Sequence, residues 1–313
     1  MKIIFFGTGE FALPSLKKVI AADHDLMALV TQPDSKKSRG WNVQATPTKA
    51  LIEKLMPGMA IFQPEKLDNA FIEQLKGPEA DIFIVVDYGK ILPKEILNIP
   101  QKYCINLHPS LLPKYRGSSP INRAILNGDA ITGNTVIEMS ERMDAGRIIL
   151  QEEIRIKERE DSTGLFARLS LSGADLILKT LNLIEEGKET VTEQDESKAS
   201  YAPKLKKEDG EIDWTLPAVR IERSIRGLQP WPGAFTYIGN KRLKILKADI
   251  AFPEDGINPP GTVSLKKGLT VYTADGAIRV KMLQIEGKKP MPADEFMKGN
   301  ALKEGMILGK TID

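Results

Sequence analysis

Residues 1–16 read MKIIFFGTGEFALPSL: an apolar run through Phe6, two glycines at the spacing G-x-G-x-x-A, and then a segment with helical patterning. A strand that feeds a glycine turn and a helix N-terminus is the opening unit of an α/β fold, and its free backbone N–H groups make an anion site at the sheet edge. The same spacing belongs to dinucleotide-binding enzymes, which also need an acidic residue about 20 positions on, at the end of the second strand, to hold a ribose hydroxyl. Asp34 is the nearest candidate and fits poorly, since it follows Pro33 inside a loop that continues through SKKSRGW. The opening stretch therefore sets the fold and leaves the chemistry open. Gly7 and Gly9 are sufficiently explained as a tight strand-to-helix turn.

Outward from that unit, the short apolar runs KIIFF (2–6), LMALV (26–30), DIFIVV (81–86) and YCINL (103–107) alternate with helical segments at 14–22, 46–55 and 69–75. This alternation implies a parallel sheet covered on both faces. After NTVIEM (134–139) and GRIILQEEIRI (146–156), a long helix is expected over 163–187 with Gly187 as its stop. The polar stretch 188–211 is nearly without aliphatics and reads as a linker. Beyond it, one helix at 218–225 precedes five short strand-like runs, AFTYI, RLKILKA, GTVSL, LTVYT and AIRVKMLQI, which fit a small β-barrel. The expected division is 1–189, a linker at 190–208, and 209–313.

A length of 313 residues with 42% apolar composition is ample for two globular domains. No charged-then-apolar leader and no apolar run near 18 residues is present, so a cytoplasmic protein without membrane contact is expected. The single cysteine, Cys104, excludes an internal disulfide and a cysteine-ligated zinc site, and reads as a buried strand residue. His24 and His108 are the only histidines, so no metal site is expected. The segment after residue 205 has about four more basic than acidic residues, which suggests that a polyanion meets this part of the chain.

Ligands of open parallel sheets sit outside the carboxyl ends of the strands. The richest such end is YCINLHPSLLPKYRG (103–117), where Asn106 and His108 lie two apart and so share one face of a strand. A lone strand histidine is usually a satisfied core residue, but an amide beside it changes the balance: Asn can donate to a developing oxyanion and His can move a proton. Asp144, on a turn marked by Gly146, supplies a carboxylate. VVDYGKILP (85–93) and the loop after TQPD (31–34) complete the rim.

INLHPSLLPKYRG (105–117) followed by MDAGRII (143–149) closely resembles the active-site signature of the folate-dependent formyltransferases. Further matches narrow the resemblance to the methionyl-tRNA formyltransferase family: GTGEFA, TQPD with SRG, VVDYGKILP, YAPKL, IDW, IRGLQPWPGAF and GKKPM, spanning nearly the whole chain. The family has a Rossmann-like catalytic domain linked to an OB-like barrel that binds tRNA. It usually reads G-T-P-x-F-A, and Gly9 in place of that proline completes the dinucleotide spacing by coincidence. The nicotinamide reading falls.

The resemblance implies that Asn106, His108 and Asp144 are the catalytic trio and that the formyl donor is 10-formyltetrahydrofolate. It places the folate against Ser110, Leu111, Leu112 and Pro113 and against Tyr88, Gly89, Ile91 and Leu92, with backbone polar groups reading the pterin edge. The resemblance implies initiator methionyl-tRNA as partner, with Arg39 at its acceptor end; Lys36 and Lys37 beside Trp41 suit the same loop, and Lys241, Arg242, Lys244, Lys247, Lys288 and Lys289 are expected phosphate contacts. A monomer is expected. The competing readings are a formyltransferase for an amino sugar-nucleotide and a catalytically silent tRNA- or folate-binding module.

Overall fold

The computed structural model describes residues 1–36, 43–252, 256, 258–299 and 302–309, with only the backbone of Lys36 and Val43. The described chain forms two compact units: Met1–Pro120, Ile131–Arg155 and Phe166–Ala202 make one, and Ile121–Ala130, Ile156–Leu165 and Pro203–Asp313 the other.

The first unit begins with β1 (Lys2–Gly7), α1 (Leu13–Ala21) and β2 (Asp25–Val30), followed by the short hairpin β3 (Ser35–Lys36) and β4 (Val43–Gln44). α2 (Pro47–Leu55) starts where Thr46 caps the Lys49 N–H and Pro47 pre-sets the first turn. After β5 (Ala60–Phe62), α3 (Asn69–Lys76) is capped in the same way by Asp68. There follow β6 (Ile82–Val86), α4 (Lys94–Leu97) and β7 (Tyr103–His108). α5 (Pro120–Asn127) falls almost wholly to the second unit, and β8 (Ile131–Glu138), β9 (Ile148–Arg155) and most of α6 (Ser162–Glu185) return to the first.

The sheet order is β5-β2-β1-β6-β7-β8-β9. The strands from β5 through β7 are parallel, as the alternation of runs and helices implies, but β8 and β9 are antiparallel. The short connection from β8 to β9 has no room for a crossover helix, and these two strands pair antiparallel. Strand β6 is buried throughout, and Ile4, Phe6, Ala28, Val30, Phe83, Val85 and Cys104 form one face with Phe71, Ile72 and Leu75 of α3 and Ile96 of α4. α6 covers the opposite face, where Gly173 lets the helix close on Leu107. Each fully buried Ile or Phe here contributes about 1.5–3 kcal/mol. Chain order reverses between β1 and β6, so the crevice of an open α/β sheet lies at their carboxyl ends.

The second unit contains α7 (Ala218–Gly227), β10 (Phe235–Ile238), β11 (Lys241–Ala251), β12 (Val263–Ser264), β13 (Thr270–Tyr272), β14 (Ala277–Ile285), β15 (Met291–Pro292) and α8 (Ala293–Met297). Its antiparallel sheet runs β10-β11-β14-β13-β12, with β15 on β14. The five expected strands are β10 to β14, and β15 adds a sixth. One core of Trp214, Ile221, Leu243, Ile245, Val271, Val280 and Leu283 lies under it. Asn122 of α5 donates to the Gly227 carbonyl at 2.7 Å, and Arg226 donates to the Glu160 carbonyl, which accounts for these two segments leaving the first unit.

Candidate active site

Asn106 and His108 share a face of β7 with Cys104, at the strand's carboxyl end. The Asn106 amide donates one N–H to the Val85 carbonyl of β6 at 3.1 Å. That bond fixes the side chain and leaves a second N–H for a ligand. The His108 ring is 5% exposed, and its Nε2 lies 2.9 Å from the Tyr115 carbonyl oxygen. A carbonyl only accepts, so Nε2 bears the proton and Nδ1 is the nitrogen that gains or loses one.

Nδ1 faces Asp144 Oδ2 at 3.7 Å. The same carboxylate oxygen accepts the Gly117 N–H at 2.8 Å. Tyr115 and Asp144 both have left-handed backbone conformations, at φ 64° and 51°. Such residues persist only where surrounding contacts over-determine them. Those contacts come from the stretch expected to be a linker, which is hydrogen-bonded along the first unit as far as Ala202: Thr192 pairs with Ile148, Ser200 and Ala202 with Arg116, and Ala202 with Ser119. Gly117, at φ 117°, is required because a Cβ would stand 2.8 Å from the Ala202 carbonyl oxygen.

The Ser110–Pro113 segment is clamped from within. Thr135 donates to the Ser110 carbonyl and accepts the Leu112 N–H, Gln151 donates to the Leu112 carbonyl at 2.7 Å, and Lys114 and Ser200 N–H groups take the Leu111 and Pro113 carbonyls. Leu112 is buried and Leu111 packs against Gly133 of β8. Most backbone polar groups of this segment thus have partners within the protein. In the other segment, Tyr88 and Leu92 turn into the core, with Tyr88 edge-on to Phe6. Ile91, by contrast, is 71% exposed, and the backbone groups of Gly89 to Leu92 make no hydrogen bond with described residues. Thr8 and Gln32 both donate to the Tyr88 carbonyl, tying the ends of β1, β2 and β6 together.

The poor fit of Asp34 to a ribose now has a physical cause. Its carboxylate is held by Lys49 at 2.6 Å and by Gln63, contacts that also hold its pKa below the ordinary carboxylate value. Lys37, Arg39 and Trp41 lie outside the described residues, as does the side chain of Lys36. Lys288 and Lys289 are exposed on the turn between β14 and β15, and neither meets an acidic group among the described residues.

Gly9 is explained by Asp87. A Cβ at Gly9 would stand 2.0 Å from Asp87 Oδ2, and the Gly9 N–H points to the Asp87 carbonyl. Asp87 as a whole is exposed, yet its carboxyl is tucked beneath this turn, where loss of water pushes its pKa up to about 6 against the opposing Phe11 N–H. Gly9→Ala is expected to destabilise the protein by about 1 kcal/mol. Asp87→Ala in the same chain should remove most of that loss. Denaturant titration of both single variants and the double variant measures the coupling, and strictly additive effects would contradict the packing described.

A family model described as Formyl transferase matches residues 1–181, and one described as Formyl transferase, C-terminal domain, matches residues 204–301. The methionyl-tRNA formyltransferase of Caldanaerobacter subterraneus subsp. tengcongensis is 43% identical over 311 residues, covering 98% of this chain and 100% of that protein. That of Thermodesulfovibrio yellowstonii is 45% identical over 306 residues, with 97% of each covered. The chain belongs to the methionyl-tRNA formyltransferase family. As a member of this family it is a formyltransferase, and its two matched parts are the parallel-rich and antiparallel sheets already described. The fold is shared more widely: WlaRD, a sugar 3N-formyl transferase solved in the presence of dTDP and 5-N-formyl-THF, aligns with a TM-score of 0.68 at 19% identity over 92% of this chain and 99% of that one.

Among the residues that contact the site, sequence reasoning missed Tyr115, Thr135, Gln151, Arg116 and Gln194. Arg116 and Tyr115 were inside a quoted motif, whereas Gln194 lies in a polar stretch with no chemical signature.

Proposed function

We propose that this family member transfers the formyl group of 10-formyltetrahydrofolate to the α-amino group of initiator methionyl-tRNA. The observation that supports the site most strongly is that Asn106 and His108 share one face at the carboxyl end of β7, with the Asp144 carboxylate 3.7 Å from His108 Nδ1. The neutral amine attacks the formyl carbon and gives a tetrahedral oxyanion. The free N–H of Asn106 stabilises that oxygen. Collapse breaks the bond to the folate nitrogen, which gains a proton as the amine nitrogen loses one. His108 Nδ1 carries protons between these centres, and the imidazolium so formed is held between the Tyr115 carbonyl and Asp144. The unpaired backbone of Gly89 to Leu92 and the exposed Ile91 support a folate edge lying there, with the Ser110–Pro113 segment as a rigid wall.

Exposed Lys288 and Lys289 fit contacts to phosphate, and Arg39 fits an acceptor-end contact. Transfer rate and tRNA affinity at several salt concentrations test this division. Neutralising Lys288 and Lys289 should weaken binding to many tRNAs alike and flatten the salt slope by up to about 2. Arg39→Ala should reduce transfer to tRNA far more than folate binding. A salt-independent affinity, or equal effects of Arg39→Ala on tRNA and folate, would refute a tRNA acceptor.

A further inference from the structure

We infer that Gln194 is a positioning residue of the transfer site, joining through one side chain the two loops that bring His108 and Asp144 together. The inference rests on the proposed roles of those two groups. Its physical basis is that both ends of a buried amide are used, each on a different loop. The Gln194 Nε2 donates to the Asp144 carbonyl at 2.8 Å and to the Gly146 carbonyl at 2.7 Å. Its Oε1 accepts from Arg116 Nη2 at 2.7 Å and Nε at 3.1 Å.

Arg116 sits between the two residues that address the catalytic pair. On one side Tyr115 gives its carbonyl to His108 Nε2, and on the other Gly117 gives its N–H to Asp144 Oδ2. The Arg116 side chain is 1% exposed, and beyond Gln194 its guanidinium reaches Glu196. A buried guanidinium is tolerated only with its donors satisfied, so Arg116 has one place to go. Gln194 converts that fixed position into a fixed position for the Asp144 turn.

The separation of His108 and Asp144 makes this matter. At 3.7 Å the carboxylate stabilises an imidazolium by charge and lies just beyond a direct hydrogen bond, so a shift of a few tenths of an ångström in the Asp144 turn changes the interaction markedly. Asp144 also adopts a left-handed backbone, which the turn holds only under external constraint. A glutamine that merely stabilised the stretch 190–202 would have no need to grip the carbonyls on both sides of Ala145.

Gln194→Glu isolates the donor half. The new carboxylate still accepts from Arg116 but places an acceptor against the Asp144 and Gly146 carbonyls. The expected result is a fall in kcat of about 10–100-fold, with KM for 10-formyltetrahydrofolate within about twofold and the fold intact. The two histidines also allow a readout independent of turnover: with 15N-labelled histidine, the His108 ring signals should move while those of His24 stay in place. Gln194→Asn, an amide one methylene shorter, should behave alike and serves if the glutamate variant does not fold. Unchanged kcat and an unchanged His108 signal in either folded variant would overturn the inference, as would equal loss of activity and of folded protein with both histidines perturbed. If the wild type forms no formyl-methionyl-tRNA, the proposed function fails, and the His108 signal alone still decides the role of Gln194.

Discussion

Asn106→Ala and His108→Ala are each expected to lower formyl-transfer turnover by at least about a hundredfold, the scale of losing an oxyanion donor or a proton carrier. The two losses have different origins. Asn106→Ala removes the second amide N–H, the proposed oxyanion donor, together with a 3.1 Å hydrogen bond to Val85, a structural loss of about 1 kcal/mol. His108→Ala removes the proposed proton carrier and the ring's contact with the Tyr115 carbonyl, so a stability loss of about 1–3 kcal/mol is expected with it. Single-turnover rates corrected for the folded fraction, measured by circular dichroism, separate chemistry from folding. Near-normal turnover in a folded variant of either residue would remove it from the site.

The second large effect is at a glycine. Gly146→Ala puts a Cβ 1.8 Å from the Glu138 carbonyl oxygen and 2.9 Å from its carbon. These are backbone atoms of β8 and cannot rotate away, so the turn carrying Asp144 must move. If Asp144 acts as proposed, displacing its carboxylate by part of an ångström is expected to lower kcat by about 10–100-fold, with a strain cost of about 1–3 kcal/mol. Gly187→Ala is the control. Its φ of 63° also disfavours a side chain, but nothing lies within 4 Å, so a loss of about 1 kcal/mol with unchanged kcat is expected. A Gly146→Ala protein with wild-type kcat would show that the position of Asp144 does not matter to transfer.

The fold was legible where burial leaves a periodic trace. The runs at 2–6, 26–30, 81–86 and 103–107 became central parallel strands, and Thr46 and Asp68 began helices where capping chemistry places them. The alternation with helices carried the direction of those four strands, whereas no direction was read for β8 and β9, which are antiparallel. β15 escaped notice because two residues ending in Pro292 have no period. At the site, the two-residue spacing of Asn106 and His108 correctly placed them on one face. Along 88–92 core packing and a ligand wall were both compatible with the residues, and only the structure separates buried Tyr88 and Leu92 from exposed Ile91. The scaffold of Gln194 and Arg116 was illegible because ordinary polar residues acquire their meaning only from what the fold brings beside them.

The most direct measurement follows the fate of a labelled formyl group. The purified protein is incubated with 10-formyltetrahydrofolate labelled in the formyl carbon, together with methionyl initiator tRNA and an amino sugar-nucleotide at equal concentration. The account predicts label on the methionine amino group of the tRNA and none on the sugar. Label on the sugar-nucleotide, or on neither acceptor, would contradict it.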